Sequence, residues 1–254
     1  PNNQSRSDQD FCQSFHHRVP RVKYERSITQ NSKKMNLFQK YQHIIHESNE
    51  KFKSWFGKSV LKHDSSEPIT FYHGTGHDIE KFDHKFVGKG NDAHGSGFYF
   101  TNKPDVASGY AEGHKDKSPN VIPVHIRLEK PIDKDDETPL KRDHIEKLIR
   151  SAPDHINTLS NFGDVKYEGY NKVLRGAVDA YSDHSKHDGM NSIHNDFYTG
   201  HADKFLTNFK SITGHDGVIV KGPDNHTIVS VFHPSQIKSA IGSSYSRRST
   251  SLIK

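Results

Sequence analysis

From Met35 onward, apolar residues recur at helical spacing through Leu37, Phe38, Tyr41, Ile44, Ile45, Phe52, Trp55 and Phe56. Residues repeating every three or four positions line one helix face. Gly57 follows where a helix C-terminus favours glycine. No apolar residue lies between Ile45 and Phe52, so the pattern fits two helices or one kinked helix, packed on a sheet. After a Lys/Asp/Ser/Pro turn the period changes. Ile69-Thr-Phe-Tyr-His73 is a β-branched and aromatic run, and Gly97-Phe-Tyr-Phe-Thr101 is a second. Val121–Leu128 alternates as a third strand, with Pro123 favouring an edge or a bulge. The stretch from Gly74 to Gly97 is polar and too dotted with glycine for continuous regular structure. Pro104 opens a helix running through Tyr110, with Asn102 as its candidate cap.

Residues 140–212 read as mainly helical and polar, with Leu148, Ile149, Leu174, Val178, Phe205 and Phe209 facing inward. Gly217–Val220 and Thr227–Phe232 are two further strands, and Gly222-Pro-Asp-Asn225 between them predicts an antiparallel hairpin. Strands therefore cluster, with helices inserted between them and no strict alternation. That pattern predicts an α+β fold and argues against a doubly wound parallel sheet. Residues 1–34 lack any sustained period and predict a flexible arm or a loosely docked extension.

Composition sharpens this division. Apolar residues make up 31% of the chain, and adding 18 Gly raises the share to about 38%, below the ~45–50% usual for a globular domain. Part of the chain thus lies outside any packed core. The formal charge of +5 is also uneven: residues 1–34 carry seven Lys/Arg against three Asp/Glu, and 243–254 carry three Lys/Arg against none. Those tails contribute +4 and +3, which leaves −2 for the middle. A large basic groove on the folded part is not expected, although the tails alone would bind polyanions such as nucleic acid weakly. A single Cys excludes an intramolecular disulfide framework and fits a reducing compartment. No run of eighteen apolar residues occurs and no signal-peptide core is present. No membrane span is expected, and the chain is expected either in a cytoplasm or delivered into a host cell. Twenty His residues raise the question of metal. The densest groups, His16-His17, His43-Ile-Ile-His46-Glu47 and His184/His187, match no zinc-enzyme spacing, so no metal is expected.

Three segments carry candidate chemistry: Tyr72-His73-Gly74-Thr75; Gly95-Ser-Gly-Phe-Tyr-Phe-Thr101 with Ala107-Ser-Gly-Tyr110; and Asp216-Gly-Val-Ile-Val with Val231-Phe-His-Pro-Ser-Gln-Ile-Lys-Ser-Ala240. Singly, each has a plainer explanation as turn or core. Together, in this order, they resemble the NAD-binding core of ADP-ribosyltransferases of the diphtheria-toxin and poly(ADP-ribose) polymerase type. The closer resemblance is to such domains in phage and mobile-element polyproteins and in bacterial effectors, where Trp55-Phe-Gly57 and Pro234–Ala240 also have counterparts. The resemblance covers about residues 52–132 and 214–242. It implies a split antiparallel sheet with an N-terminal helix in an enzyme domain over 35–242; the helical insertion over about 140–212 and the basic tail from 243 are read from the pattern and charge of the chain itself.

The resemblance also implies roles. NAD would be the co-substrate. Tyr99 and Tyr110 would hold the flat cationic nicotinamide between them. Gly74 would offer backbone N–H and C=O to the carboxamide, His73 would bond a ribose hydroxyl, and Thr75 would add a contact. The loop 76–96, with Lys85 and Lys89, would lie over the pyrophosphate. Two departures stand out. The helix position that carries Ser in polymerase-type relatives is Ala107 here, and Ser108 is one residue late, rotated by about 100°. The Glu of polymer-elongating relatives is replaced by Ile228. That favours transfer of a single ADP-ribose to a host protein by a bacterial or phage effector. Glu137 is the preferred substitute carboxylate, with Glu112 and Asp216 as alternatives. A catalytically inactive NAD-binding or scaffold module is the second reading, and a nucleic-acid-directed transferase, suggested by the basic tails, is the third. The insertion is expected to select the substrate and to be separable from NAD hydrolysis.

Overall fold

The computed structural model describes residues 37–76, 79–87, 94–113 and 119–241. The N-terminal arm 1–34, the tail 243–254 and Lys89 lie outside them. The chain divides into two compact units, Pro1–Ile44 and Ile45–Lys254. Only the opening turns of the first helix are described in the former. The sheet and every later helix belong to the latter.

The apolar repeat forms one helix, α1 (Leu37–Phe56). It stops at Gly57, whose φ of +50° and N–H bond to the Lys53 carbonyl make a left-handed cap. Among the described residues seven strands follow: β1 (Phe71–Thr75), β2 (Phe98–Thr101), β3 (Asn120–Ile126), β4 (Pro131–Asp133), β5 (Gly217–Lys221), β6 (Thr227–Val231) and β7 (Ile237–Ser239). They form a single sheet in the order β4-β5-β6-β2-β1-β3-β7. Every neighbouring pair is antiparallel except β4 with β5, which run parallel. The predicted hairpin is present, with Asp224 and Asn225 both at positive φ between β5 and β6. Pro123 is tolerated in β3, a strand paired on both sides, because its backbone faces the end of β7. Its carbonyl accepts from Ala240 N there, and no ladder N–H is demanded.

Helix α2 (Pro104–Glu112) joins β2 to β3. Its cap is not Asn102. The N-cap position is Lys103, without a side-chain bond, while the Asn102 amide accepts from Thr227 N and donates to the Asn225 carbonyl. Asn102 is thus committed to the β5–β6 hairpin.

Six helices fill the span between β4 and β5: α3 (Arg142–Ser151), α4 (His155–Leu159), α5 (Val165–Glu168), α6 (Tyr170–Tyr181), α7 (Lys186–Phe197) and α8 (Ala202–Thr213). All six positions expected to face inward are buried. These helices share one core with the sheet. Phe209 of α8 meets Phe232 edge-on at 6.0 Å, and Ile145, Leu148 and Phe205 belong to the same apolar cluster as Phe71, Phe100 and Val229. Each fully buried Leu, Ile or Phe contributes roughly 1.5–3 kcal/mol. The insertion is therefore part of the apolar core that carries the sheet, which argues against the expectation that it could be removed with hydrolysis intact. Among the described residues, no helix is long and apolar enough to cross a membrane.

Candidate active site

The central feature is a split between β1 and β2. These strands share a single registered pair, Tyr72 with Thr101, whereas β1 pairs with β3 over five positions and β2 with β6 over four. The phase of the ladders determines what faces the gap. Pro123 turns its backbone to β7, so by antiparallel alternation Ile122 and Val124 face β1 and bond His73 and Phe71. Tyr72 and Gly74 must then point their N–H and C=O groups toward β2. Tyr72 meets Thr101. Opposite Gly74 the strands have parted, and the Tyr99 carbonyl accepts instead from His73 Nδ1 at 2.9 Å. The amide groups of Gly74 consequently face the split.

That bond also defines the state of His73. A carbonyl only accepts, so Nδ1 carries the proton. Burial against Phe82 and Phe100, with ring centroids 5.2 and 5.5 Å away, pushes the imidazole below its ordinary range, and the bond to Tyr99 only partly offsets this. A neutral ring protonated at Nδ1 leaves Nε2 as an acceptor for a hydroxyl.

Strand alternation sorts the remaining residues by face. Tyr72, Gly74, Tyr99, Thr101, Ile228 and Ser230 share one face, and Phe71, His73, Thr75, Phe98 and Phe100 the other. Helix α2 covers the first face at Gly74. A Cβ built there would lie 1.9 Å from the Ala107 carbonyl oxygen and 3.1 Å from Ala111 N, so only glycine admits the helix this close. Tyr110 rises from α2 on the same side and is 64% exposed. The Ser108 hydroxyl is turned to its own helix, donating to the Pro104 carbonyl at 2.9 Å. Thr75 is buried on the face of His73.

Tyr99 is held from outside the sheet. Its hydroxyl accepts from His94 N at 3.1 Å and donates to the Gly95 carbonyl, which fixes the ring to the loop 94–97. On the opposite face, Lys85 lies between Asp83, at 3.7 Å, and the Phe86 ring, at 4.8 Å.

Of the candidate carboxylates, Asp216 is committed to structure. It is buried and accepts from Glu129 N and Lys130 N at 3.0 and 2.8 Å, joining the start of β5 to the chain after β3. Glu112 is exposed at the last turn of α2, and Glu137 is exposed in the loop after β4. The residues flanking Glu137 anchor that loop, because Lys186 donates to Asp136 at 2.6 Å and also to Thr138. Ile228 lies half-buried on the face of Tyr99. Among the described residues, no group of three or more His, Cys, Asp or Glu side chains is placed to hold a metal ion.

The closing Pro234–Ala240 motif is structural. Gln236 is fully buried. Its carbonyl accepts from Phe232 N and His233 N, and its amide donates to the Arg127 and Asp216 carbonyls at 3.1 and 2.9 Å. One side chain thus joins the ends of β6 and β3 to the residue before β5.

The expected role of the insertion in substrate selection did not include its contact with the loop before β2. Helix α7 places His187, Met190, Asn191 and His194 against the loop 94–97. Their spacing of i, i+3, i+4 and i+7 was the available signal.

A family model described as "ADP-Ribosyltransferase in polyvalent proteins" matches residues 63–246. No curated protein and no solved structure matches the chain.

Proposed function

Because the chain belongs to the ADP-ribosyltransferase family of polyvalent proteins, we propose that it takes NAD as donor and moves a single ADP-ribose to a host-cell protein on behalf of a bacterium or phage. The observation carrying this reading is the parted β1–β2 seam, with the Gly74 amide groups facing it and the neutral His73 ring bridging it. A carboxamide has one donor end and one acceptor end, which Gly74 C=O and N–H complement. Tyr99 and Tyr110, on one side of the sheet, offer aromatic faces to the cationic ring. His73 leaves β1 on the other side, so a dinucleotide engaging all three must cross the seam, with its ADP-ribose portion toward His73, Thr75 and Lys85.

The reaction breaks the bond between the nicotinamide nitrogen and the ribose anomeric carbon. The electron pair leaves with nicotinamide, positive charge develops on the sugar, and a nucleophile of the acceptor bonds to that carbon and gives up its proton. Glu137, in an anchored loop, is the chain's own candidate to stabilise that charge or take the proton. Ile228 on the Tyr99 face favours transfer of one unit over elongation, since that position supplies no carboxylate. The same observation supports a second reading, a domain that binds NAD without turning it over.

Incubation with biotinylated NAD in cell lysate, with nicotinamide release measured in parallel, tests the proposal. Labelling of a protein that falls by orders of magnitude in His73→Ala and Tyr99→Ala supports transfer. Binding of NAD with no nicotinamide released under any acceptor selects the second reading, and undiminished labelling in both variants refutes the site.

A further inference from the structure

Helix α7 lies about ninety residues beyond β2 in sequence, yet it reaches the loop that leads into that strand. His187 Nε2 is 3.3 Å from the His94 carbonyl and 3.3 Å from Asn191 Nδ2; it donates to the carbonyl in one tautomer and accepts from the amide in the other, so it bonds one of the two at a time. Gly95 packs directly beneath: a Cβ there would meet Asn191 Oδ1 at 2.2 Å and Met190 Cε at 2.8 Å, and its φ is +89°. One residue further, Ser96 Oγ is 3.4 Å from His194 Nε2. All three loop residues therefore touch one face of α7. The loop's other side holds the Tyr99 hydroxyl through His94 N and the Gly95 carbonyl. The helix itself is fixed at its start, where Ser185 bridges to Pro139 and Lys186 N donates to the Thr138 carbonyl at 2.9 Å.

We propose that α7 is a positioning element of the active site: it clamps the loop 94–97, and the clamped loop sets the tilt and depth of the Tyr99 ring through the phenol hydroxyl. This rests on the reading that Tyr99 carries the nicotinamide. The ring is joined to β2 through its own Cβ, the His94 ring of the loop lies 6.5 Å from it, and its hydroxyl is held by the same loop. A stacking surface misplaced by about 1 Å loses most of its catalytic value. The insertion thus acts on the donor pocket as well as adding surface outside it. His187 and Asn191 are positioning residues, since they reach the substrate only through the loop and Tyr99.

Three full-length variants decide the matter: Tyr99→Phe, which keeps the ring and removes the hook; His187→Ala with Asn191→Ala, which removes the clamp; and the triple combination. Nicotinamide and ADP-ribose are each titrated by calorimetry. The clamp predicts about tenfold weaker nicotinamide binding in the first two variants. It predicts ADP-ribose affinity unchanged, and no further loss in the triple variant, because loosening the loop is immaterial once the hook is gone. Equal weakening of both ligands, additive losses, or unchanged nicotinamide binding would overturn it. If the double variant loses its circular-dichroism signature of folding, Tyr99→Phe alone decides, and unaltered nicotinamide affinity there refutes the clamp. Tyr99→Ala separates a failed clamp from a failed pocket. If it leaves nicotinamide binding intact, the stacking role of Tyr99 is wrong and the clamp falls with it. If it abolishes binding while the α7 variant does not, only the clamp is wrong.

Discussion

Replacing Gly74 with Ala tests the packing that brings α2 to the seam. Gly74 does not adopt a left-handed φ, so space alone is at issue. The added methyl would sit 1.9 Å from the Ala107 carbonyl oxygen and 2.8 Å from its carbon, both backbone atoms that no rotamer change can move. A carbon–oxygen contact needs ~3.3 Å, so α2 must retreat by about 1.4 Å or β1 must bend. Overpacking of this kind costs about 1–3 kcal/mol, which for a domain of this size lowers the melting temperature by about 2–12 °C. The functional cost should be larger. Tyr110 rides on α2, and a displacement of this size in a binding group lowers kcat/KM about 100-fold. Differential scanning calorimetry and nicotinamide release on the same preparation measure the two effects. A variant that melts with the parent and keeps its activity would refute the close approach. One that melts early yet turns over normally would remove α2 and Tyr110 from the active site.

Four further outcomes are expected. Gln236→Leu removes the partner of one buried N–H and one buried carbonyl, at Phe232 and Asp216, and of two part-buried groups at His233 and Arg127, so denaturant titration should show a loss of at least about 2 kcal/mol; an unchanged midpoint would contradict this. Deleting residues 140–212 should yield an unfolded chain, because those helices share the apolar core of the sheet; a soluble deletion product that still hydrolyses NAD would disprove it. Glu137→Gln should lower kcat for transfer about 100-fold or more at similar KM, and equal turnover would exclude this carboxylate. His73, His94, His125 and His194 are all held below their ordinary value near 6.5, in each case chiefly by burial. Below that pH the unfolded chain binds more protons than the folded one, so stability present above it is lost on acidification. Melting temperatures measured from pH 8 to pH 5 should therefore fall, and a flat profile would contradict the buried, neutral state.

Much of the sheet was legible in the sequence because β-branched and aromatic runs of four to seven residues leave a period to read. Strands β4 and β7 were not, since Pro131-Ile-Asp133 and Ile237-Lys-Ser239 are three residues long and show no alternation. The Pro234–Ala240 motif was visible, but its physical content, a four-bonded buried Gln236, depends on backbone groups scattered from residue 127 to 233. Asn102 looked like a helix cap because of its place before Pro104; the hairpin backbone, more than 120 residues away, competed for the same amide. At the site, glycine beside a strand-end histidine was readable, while the reason for the glycine was not. The sequence suggested a backbone offered to ligand, and the fold adds a helix carbonyl pressed against the same Cα. The buttress on the loop 94–97 was hidden in a polar, His-rich helix that looks like surface composition until its partner is placed opposite.

The strand order has a bearing on synthesis. Strand β2 emerges from a ribosome early, but its four-pair ladder is with β6, some 130 residues later, and it shares only one pair with β1. The middle of the sheet thus stays open while six helices are translated, and it closes only when the last hairpin arrives. Contacts of such long range are slow to form. A nascent chain halted before Thr227 would leave one edge of β2 without its partner strand, a form suited to capture by a chaperone.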